Sequence, residues 1–194
     1  MLLGNMAQIR SGLVLARKQA RGKTEHRYPL LNLKCVQPSG FIDVSLCEQF
    51  DSIENLNPEY LTHKGDVVVR LTIPYTAVLI DETLEGYVIP SSFVVIRTDQ
   101  RVLLPEYLLW ILNSQQVKKQ IYEGAVSNML GAVKPRYFAE FEMEAITISR
   151  QKILADLNQL AKREVQLMEK LAAEKAKYYE HVIAHIHNEL KRGN

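Results

Sequence analysis

The fold is decided by a stretch without Gly or Pro that begins at Ser149, ends at Leu190 and reads SRQKILADLNQLAKREVQLMEKLAAEKAKYYEHVIAHIHNEL. Ala, Leu, Glu, Lys and Gln dominate this stretch, and these residues have high helix propensity. Its core-type apolar residues are separated by 4, 3, 7, 4, 7, 4 and 4 positions, which is close to a heptad repeat. The stretch predicts one long amphipathic helix over 149–190, with Ser149 as its N-cap.

The apolar stripe of this helix is predicted to need a partner. A helix of about 40 residues is about 60 Å long, whereas a domain of ~150 residues is only about 30 Å across. We therefore expect much of the helix to project from the domain and its apolar stripe to pack against a partner. The members of the stripe are Ile153, Leu157, Leu160, Leu167, Leu171, Tyr178, Val182 and Ile186, of which the first six are the predicted dimerisation residues.

The residues before this helix have a different pattern, with turn residues between short β-branched runs. A turn at Lys64–Asp66 leads directly into the run Val67–Ile73. The other predicted elements are strands in Tyr28–Val36, Ala77–Ile80, Tyr87–Ile89 and Phe93–Arg97, and a helix that begins at Pro105, runs to about Tyr122 and stops at Gly124. Strands interrupted by a helix, without regular βαβ alternation, predict an α+β fold. We expect a mixed-sheet domain over 1–148, followed by the long coiled-coil helix over 149–190.

Composition excludes several classes of protein. The chain is 47% hydrophobic with a formal net charge of +2, which is atypical of disordered segments. No apolar run approaches the ~20 residues that cross a bilayer, so no membrane partner is expected. The two cysteines, Cys35 and Cys47, form neither a disulfide framework nor a zinc motif. Because the N-terminus lacks the pattern of a secretion signal, we expect a cytoplasmic protein.

Charge is distributed unevenly along the chain. Residues 1–36 contain seven basic side chains and one acidic side chain, whereas residues 37–106 contain four basic and eleven acidic ones. An exposed basic segment can bind a polyanion through release of its counterions. On charge alone the alternative, a solvated charged surface, is the more common explanation.

Catalytic motifs are absent from the sequence. Asn57–Tyr60 approaches the Asn-Pro-Pro-Tyr loop of amino-methyltransferases, but its third residue differs and no glycine-rich loop accompanies it. His181 and His185 could share a helix face and bind a metal, although no third ligand is evident. We therefore expect no catalytic residue, no cofactor and no metal site.

Four segments resemble the target-recognition domains of type I restriction-modification specificity subunits. They are, in chain order, Met6–Gly12, Tyr60–Arg70, Leu104–Ser114 together with the loop 124–128, and Phe141–Gln151. The second contains the family's lysine-glycine-aspartate element, and the last leads into its conserved coiled-coil region. The proline pair usual before the glutamine of that region is here Ile148-Ser149, which is a departure from the family pattern.

The resemblance implies a non-catalytic DNA-specificity subunit of a methyltransferase and endonuclease complex. Such subunits usually contain two recognition domains and two long helices, and each domain recognises half of a split DNA site. This chain has one of each and so resembles a half-sized subunit. The implied partners are double-stranded DNA, methylating and restriction subunits, and a second copy of the chain, with a palindromic two-part target. Because a split site requires the two recognition domains at opposite ends, the long helix is expected to pair antiparallel with its copy.

Polar and basic residues in predicted loops are the candidates for DNA contact, because base edges and phosphates are bound by such groups. The candidates are Arg10, Ser11, Arg17, Lys18, Arg21, Lys23, Arg70, Thr72, Ser127, Asn128, Lys134 and Arg136. For Arg70 the alternative is an edge-strand arginine paired with a nearby acid. Asn128 could instead shape a turn.

Two other classes of function stay open at this point. A coiled-coil interaction protein that no longer binds DNA could compete for the partner subunits, and the acidic segment 37–106 is compatible with that role. A nuclease or methyltransferase fragment is disfavoured by the missing motifs.

Overall fold

The computed structural model describes residues 1–126, 133–144 and 146–192. The chain divides into two compact units, Met1–Lys152 and Ile153–Asn194. Within the described residues no helix is long and apolar enough to cross a membrane.

The first unit is built on two small β-sheets. Its strands among the described residues are β1 (Ala7–Ser11), β2 (His26–Leu30), β3 (Glu48–Ser52), β4 (Val67–Arg70), β5 (Ala77–Leu79) and β6 (Phe93–Thr98). One sheet has the strand order β1-β6-β4-β5 and the other pairs β2 with β3. The strands pair antiparallel in both sheets. Isolated parallel bridges join Leu13 to Pro90 and Leu30 to Val88, so the β-structure contains both antiparallel and parallel pairing.

The helices confirm the predicted fold class, α+β with a long C-terminal helix. They are α1 (Pro105–Asn113), α2 (Gln115–Val126), α3 (Pro135–Ala139) and α4 (Ile148–Arg192). The prediction of one helix from Pro105 to Tyr122 is wrong, because Ser114 adopts an extended conformation and separates α1 from α2. Gly124 does not end the helix. A Cβ atom there would lie 2.8 Å from the ring of Tyr137, so this glycine allows close packing.

The core lies on both faces of the larger sheet. Val67, Val68 and Val69 are fully buried, as the β-branched run predicts. The segment Tyr87–Ile89 is not a strand, although a strand was predicted there. The N–H of Val88 donates to the carbonyl of Pro29, and the carbonyl of Val88 accepts from the N–H of Leu31. The segment therefore forms separate backbone hydrogen bonds and no continuous strand pairing.

The first turn of α4 belongs to the first unit and is fixed by Gln151, which is 2% exposed. Its Oε1 accepts from the N–H of Leu104 at 2.8 Å, and its Nε2 donates to the carbonyls of Val102 and Ile146 at 2.9 Å each. Ser149 is not the N-cap, because α4 already begins at Ile148.

Candidate nucleic-acid interface

The lysine-glycine-aspartate element is a structural turn rather than a contact surface. Gly65 has a φ of +85°, a conformation that favours glycine. The fully buried carboxylate of Asp66 accepts from Nε of Arg97 at 2.7 Å and from its Nη2 at 2.8 Å. It also accepts from the N–H of His63 at 3.0 Å. The hydrogen bonds to Asp66 raise the pKa of Arg97. Together with the bond from His63 they satisfy the buried carboxylate.

Arg10 lies on the same sheet face as this ion pair, two residues from Gln8, which is opposite Arg97. Its Nη2 atom is buried and has no hydrogen-bond partner among the described residues. Burial, and next the charge of Arg97, lower the pKa of Arg10. Arg10 is therefore a partly buried guanidinium group with one donor that no described group satisfies.

Two predicted segments meet at one end of the larger sheet. Ser11 ends β1 opposite Val94 of β6, and it is exposed. Arg70 ends β4 opposite Phe93, the first residue of β6. Thr72 follows the end of β4 by two residues. Because β6 lies between β1 and β4, Ser11 and Thr72 lie at the same end of the sheet.

A third predicted segment joins this end through the backbone. The N–H of Val133 donates to the carbonyl of Leu71 at 2.9 Å. This bond brings Lys134, the N-cap residue of α3, next to Thr72. We name Ser11, Thr72 and Lys134 the sheet-end group.

The basic N-terminal segment lies along the outer edge of β3. The N–H of Ala20 donates to the carbonyl of Asp51 at 2.9 Å, and the N–H of Ile53 donates to the carbonyl of Lys18 at 2.9 Å. Three cations of this segment are exposed and have no ion pair among the described residues. This basic loop consists of Arg17, Arg21 and Lys23.

Two other candidates are held in exposed ion pairs. Lys18 pairs with Glu54, and Nε of Arg136 lies 2.7 Å from Oε1 of Glu140. Their hydrogen bonds lower the pKa of Glu54 and raise the pKa of Arg136. Exposed pairs of this kind are weak, so a phosphate can replace the carboxylate.

Arg70 is not the acid-paired arginine of an edge strand that the sequence offered as an alternative. Its strand lies between β6 and β5, so it is not an edge-strand arginine. Its hydrogen-bond partners among the described residues are backbone carbonyls rather than acids. Nη1 donates to the carbonyls of Leu33 and Val36 at 3.3 Å each, and Nη2 donates to the carbonyl of Ile73 at 3.4 Å. Burial lowers the pKa of Arg70. The side chain ties three backbone segments together.

Two of the candidates, Ser127 and Asn128, lie outside the described residues.

The Asn57–Tyr60 motif forms a 3₁₀ turn in which Oδ1 of Asn57 accepts from the N–H of Glu59 at 3.0 Å. A capping role accounts for this motif without catalysis. In the parts of the chain that are described, no three His, Cys, Asp or Glu side chains are grouped as a metal site would require.

Sequence reasoning missed a shallow cleft at the opposite end of β1 and β6. Gln8, Arg97 and Thr98 contribute polar groups to its lining. Oγ1 of Thr98 is buried and has no hydrogen-bond partner among the described residues. No local sequence pattern signals this cleft, because its lining combines residues 4–8 with residues 97–99.

Comparison with known proteins identifies the fold. No protein-family model and no curated protein sequence matches the chain. Solved structures do match it. One is a chain from the study "Structural basis underlying complex assembly and conformational transition of the type I R-M system", with a TM-score of 0.67 and 16% identity over 91% of this chain and 45% of that chain.

Two further matches are named as S subunits. The HsdS subunit from Thermoanaerobacter tengcongensis has a TM-score of 0.64 and 15% identity, over 90% of this chain and 44% of that one. The S subunit of a type I restriction-modification system from M. genitalium has a TM-score of 0.50 and 11% identity, over 84% and 40%. The fold implied by the four sequence segments is therefore confirmed, and the chain spans less than half the length of each of these three structures.

Proposed function

We propose that this chain recognises a DNA sequence as a half-sized specificity subunit of a type I restriction-modification system, without chemistry of its own. One observation carries the proposal: about nine-tenths of the chain has the fold of less than half of an HsdS subunit. The sequence resemblance points to the same class independently of the coordinates. Methylating and restriction subunits are the proposed protein partners.

The DNA contacts divide into two kinds. The basic loop provides exposed, unpaired cations, which suit phosphate binding and fix the protein on the duplex. The sheet-end group and Arg10 provide hydroxyl, ammonium and guanidinium donors, which suit base edges in the major groove. Lys18 and Arg136 join the phosphate contacts by exchanging their carboxylate partners. Ser127 and Asn128 remain candidates for base contact from the sequence. Arg70 acts indirectly, by holding the backbone beside the sheet-end group.

Homodimerisation completes the proposed subunit. A chain that covers 44% of HsdS needs a second copy to supply a second recognition unit. The six predicted dimerisation residues of α4 are between 52% and 68% exposed. Burying such an apolar stripe stabilises association by roughly 25 cal/mol per Å². Because a two-fold dimer presents one surface twice, the target is two inverted copies of a half-site.

A second candidate is a competitor that binds the partner subunits but not DNA. The Lys18–Glu54 and Arg136–Glu140 pairs favour it, because they neutralise two of the predicted DNA-binding cations. The excess of acidic over basic side chains in residues 37–106 also favours the competitor, because it disfavours contact with DNA phosphates.

DNA binding in the presence of the methylating subunit separates the two candidates. We expect a gel shift with a mixed pool of duplexes and an affinity that falls steeply with salt. Replacing Arg17, Arg21 and Lys23 together by Ala should lower the slope of log K against log salt by about 3, because about 0.9 counterions are released per phosphate contact. A matched triple variant at the exposed cations Lys170, Lys191 and Arg192 of α4 should keep the wild-type slope. Assembly with the methylating subunit without any DNA shift would favour the competitor.

A further inference from the structure

The apolar stripe of α4 is arranged symmetrically along the helix. Leu167 and Leu171 lie two residues before and after Glu169, and Leu160 and Tyr178 lie nine residues before and after it. The outer members follow the same rule within one residue, which is 1.5 Å of helix: Leu157 and Val182 lie 12 and 13 residues away, and Ile153 and Ile186 lie 16 and 17 residues away.

The two interruptions of the stripe are also symmetric. Glu164 and Glu174 lie five residues before and after Glu169. A pattern that reads nearly the same in both directions is complementary to its own reversed copy. We propose that α4 pairs with a second copy in one antiparallel register, with the two-fold axis passing at the level of Glu169. This inference rests on the proposed function only for the existence of the dimer.

Exposure supports the proposed contact surface. Ile153, Leu160 and Tyr178 are 66%, 68% and 62% exposed in the single chain. In the proposed register each of them meets an apolar residue of the copy, because Ile153 lies opposite Ile186 and Leu160 lies opposite Tyr178. Shifting the helices by one heptad from this register would place a leucine of the stripe opposite a glutamate, with Leu167 opposite Glu164 in one direction and Leu171 opposite Glu174 in the other.

Charges at the edges of the stripe are complementary in the same register. At 100° per residue, Glu164 and Lys175 lie on one edge of the stripe, while Arg163 and Glu174 lie on the other. A two-fold axis brings each edge against the same edge of the copy. Glu164 lies five residues before Glu169 and Lys175 lies six residues after it, so these two side chains meet between the copies.

The second edge repeats this arrangement with the charges reversed. Arg163 lies six residues before Glu169 and Glu174 lies five residues after it, so Arg163 meets Glu174 of the copy. Within the described residues Arg163, Glu164 and Lys175 have no ion pair, and Glu174 has an exposed one with Lys177 at 3.1 Å.

A charge exchange tests the register on the full chain. Glu164→Lys creates two Lys–Lys contacts in its own dimer, and Lys175→Glu creates two Glu–Glu contacts. Each variant alone should therefore dimerise about tenfold more weakly than the wild type by sedimentation equilibrium. An equimolar mixture restores both attractive contacts, so heterodimers should predominate by native mass spectrometry and the affinity should return to the wild-type value.

Glu169→Lys is the matched control, because it makes the same charge change on the opposite side of the helix. It should dimerise like the wild type. A mixture that associates no better than the single variants, or a control that is weakened as much as Glu164→Lys, would overturn the register while the dimer stands. A wild-type chain that is monomeric at tens of micromolar, where ~10 μM corresponds to nearly 7 kcal/mol, would overturn both the register and the dimer in the proposed function.

Discussion

The first unit and the long helix differ in where their side chains find partners: within the unit in the first case, and outside the chain in the second. In the first unit the buried carboxylate of Asp66 has a matched arginine, and Val67 to Val69 are fully covered. In α4 the apolar residues at Ile153 and Leu160 are two-thirds exposed. A unit that is internally complete can fold by itself, whereas an exposed apolar stripe requires an external partner. The comparison separates a recognition surface from an assembly surface.

The largest effect is expected from breaking the internal ion pair of the first unit. Asp66→Asn leaves the guanidinium group of Arg97 without a carboxylate, which costs about 3–5 kcal/mol of unfolding free energy. Urea unfolding should show a lower midpoint with an unchanged m-value. Glu140→Gln makes the same chemical change in the exposed pair with Arg136 and should leave the midpoint where it is. Equal effects of the two substitutions would contradict this assignment of stability to Asp66.

A smaller effect in free energy is expected at the assembly surface. Leu160→Asp combined with Leu167→Asp places four carboxylates in the proposed dimer contact and should weaken dimerisation at least about a hundredfold, or about 2.7 kcal/mol. The urea midpoint of the first unit should not change, and association with the methylating subunit should be lost. Val165→Asp, at an exposed position outside the stripe, is the control. The comparison fails if the double variant dimerises like Val165→Asp.

The sequence predicted those elements whose pattern is local. The β-branched run predicted β4, the proline at Pro105 predicted the beginning of α1, and the residues after Ser149 predicted α4. The strands β1 and β3 were missed because AQIRS and EQFDS are too polar to indicate strands. Their partners, β6 and β2, determine their conformation through backbone hydrogen bonds.

The candidate site was predicted less completely because its geometry depends on distant partners. Asp66 and Arg97 are 31 residues apart, and no local pattern joins them. The same is true of Arg70, whose carbonyl partners Leu33 and Val36 precede it by more than 30 residues. By contrast, the basic loop could be proposed from the sequence alone, because Arg17, Arg21 and Lys23 lie within seven residues of one another.

The most direct test of the central claim is a map of methylated DNA sites in cells that contain this chain and the methylating subunit. A half-sized specificity subunit that acts as a two-fold dimer should direct methylation to two inverted copies of one short half-site, separated by a constant spacer. Deleting the chain should abolish methylation at these sites. An asymmetric target, or methylation that is unchanged by the deletion, would contradict the account.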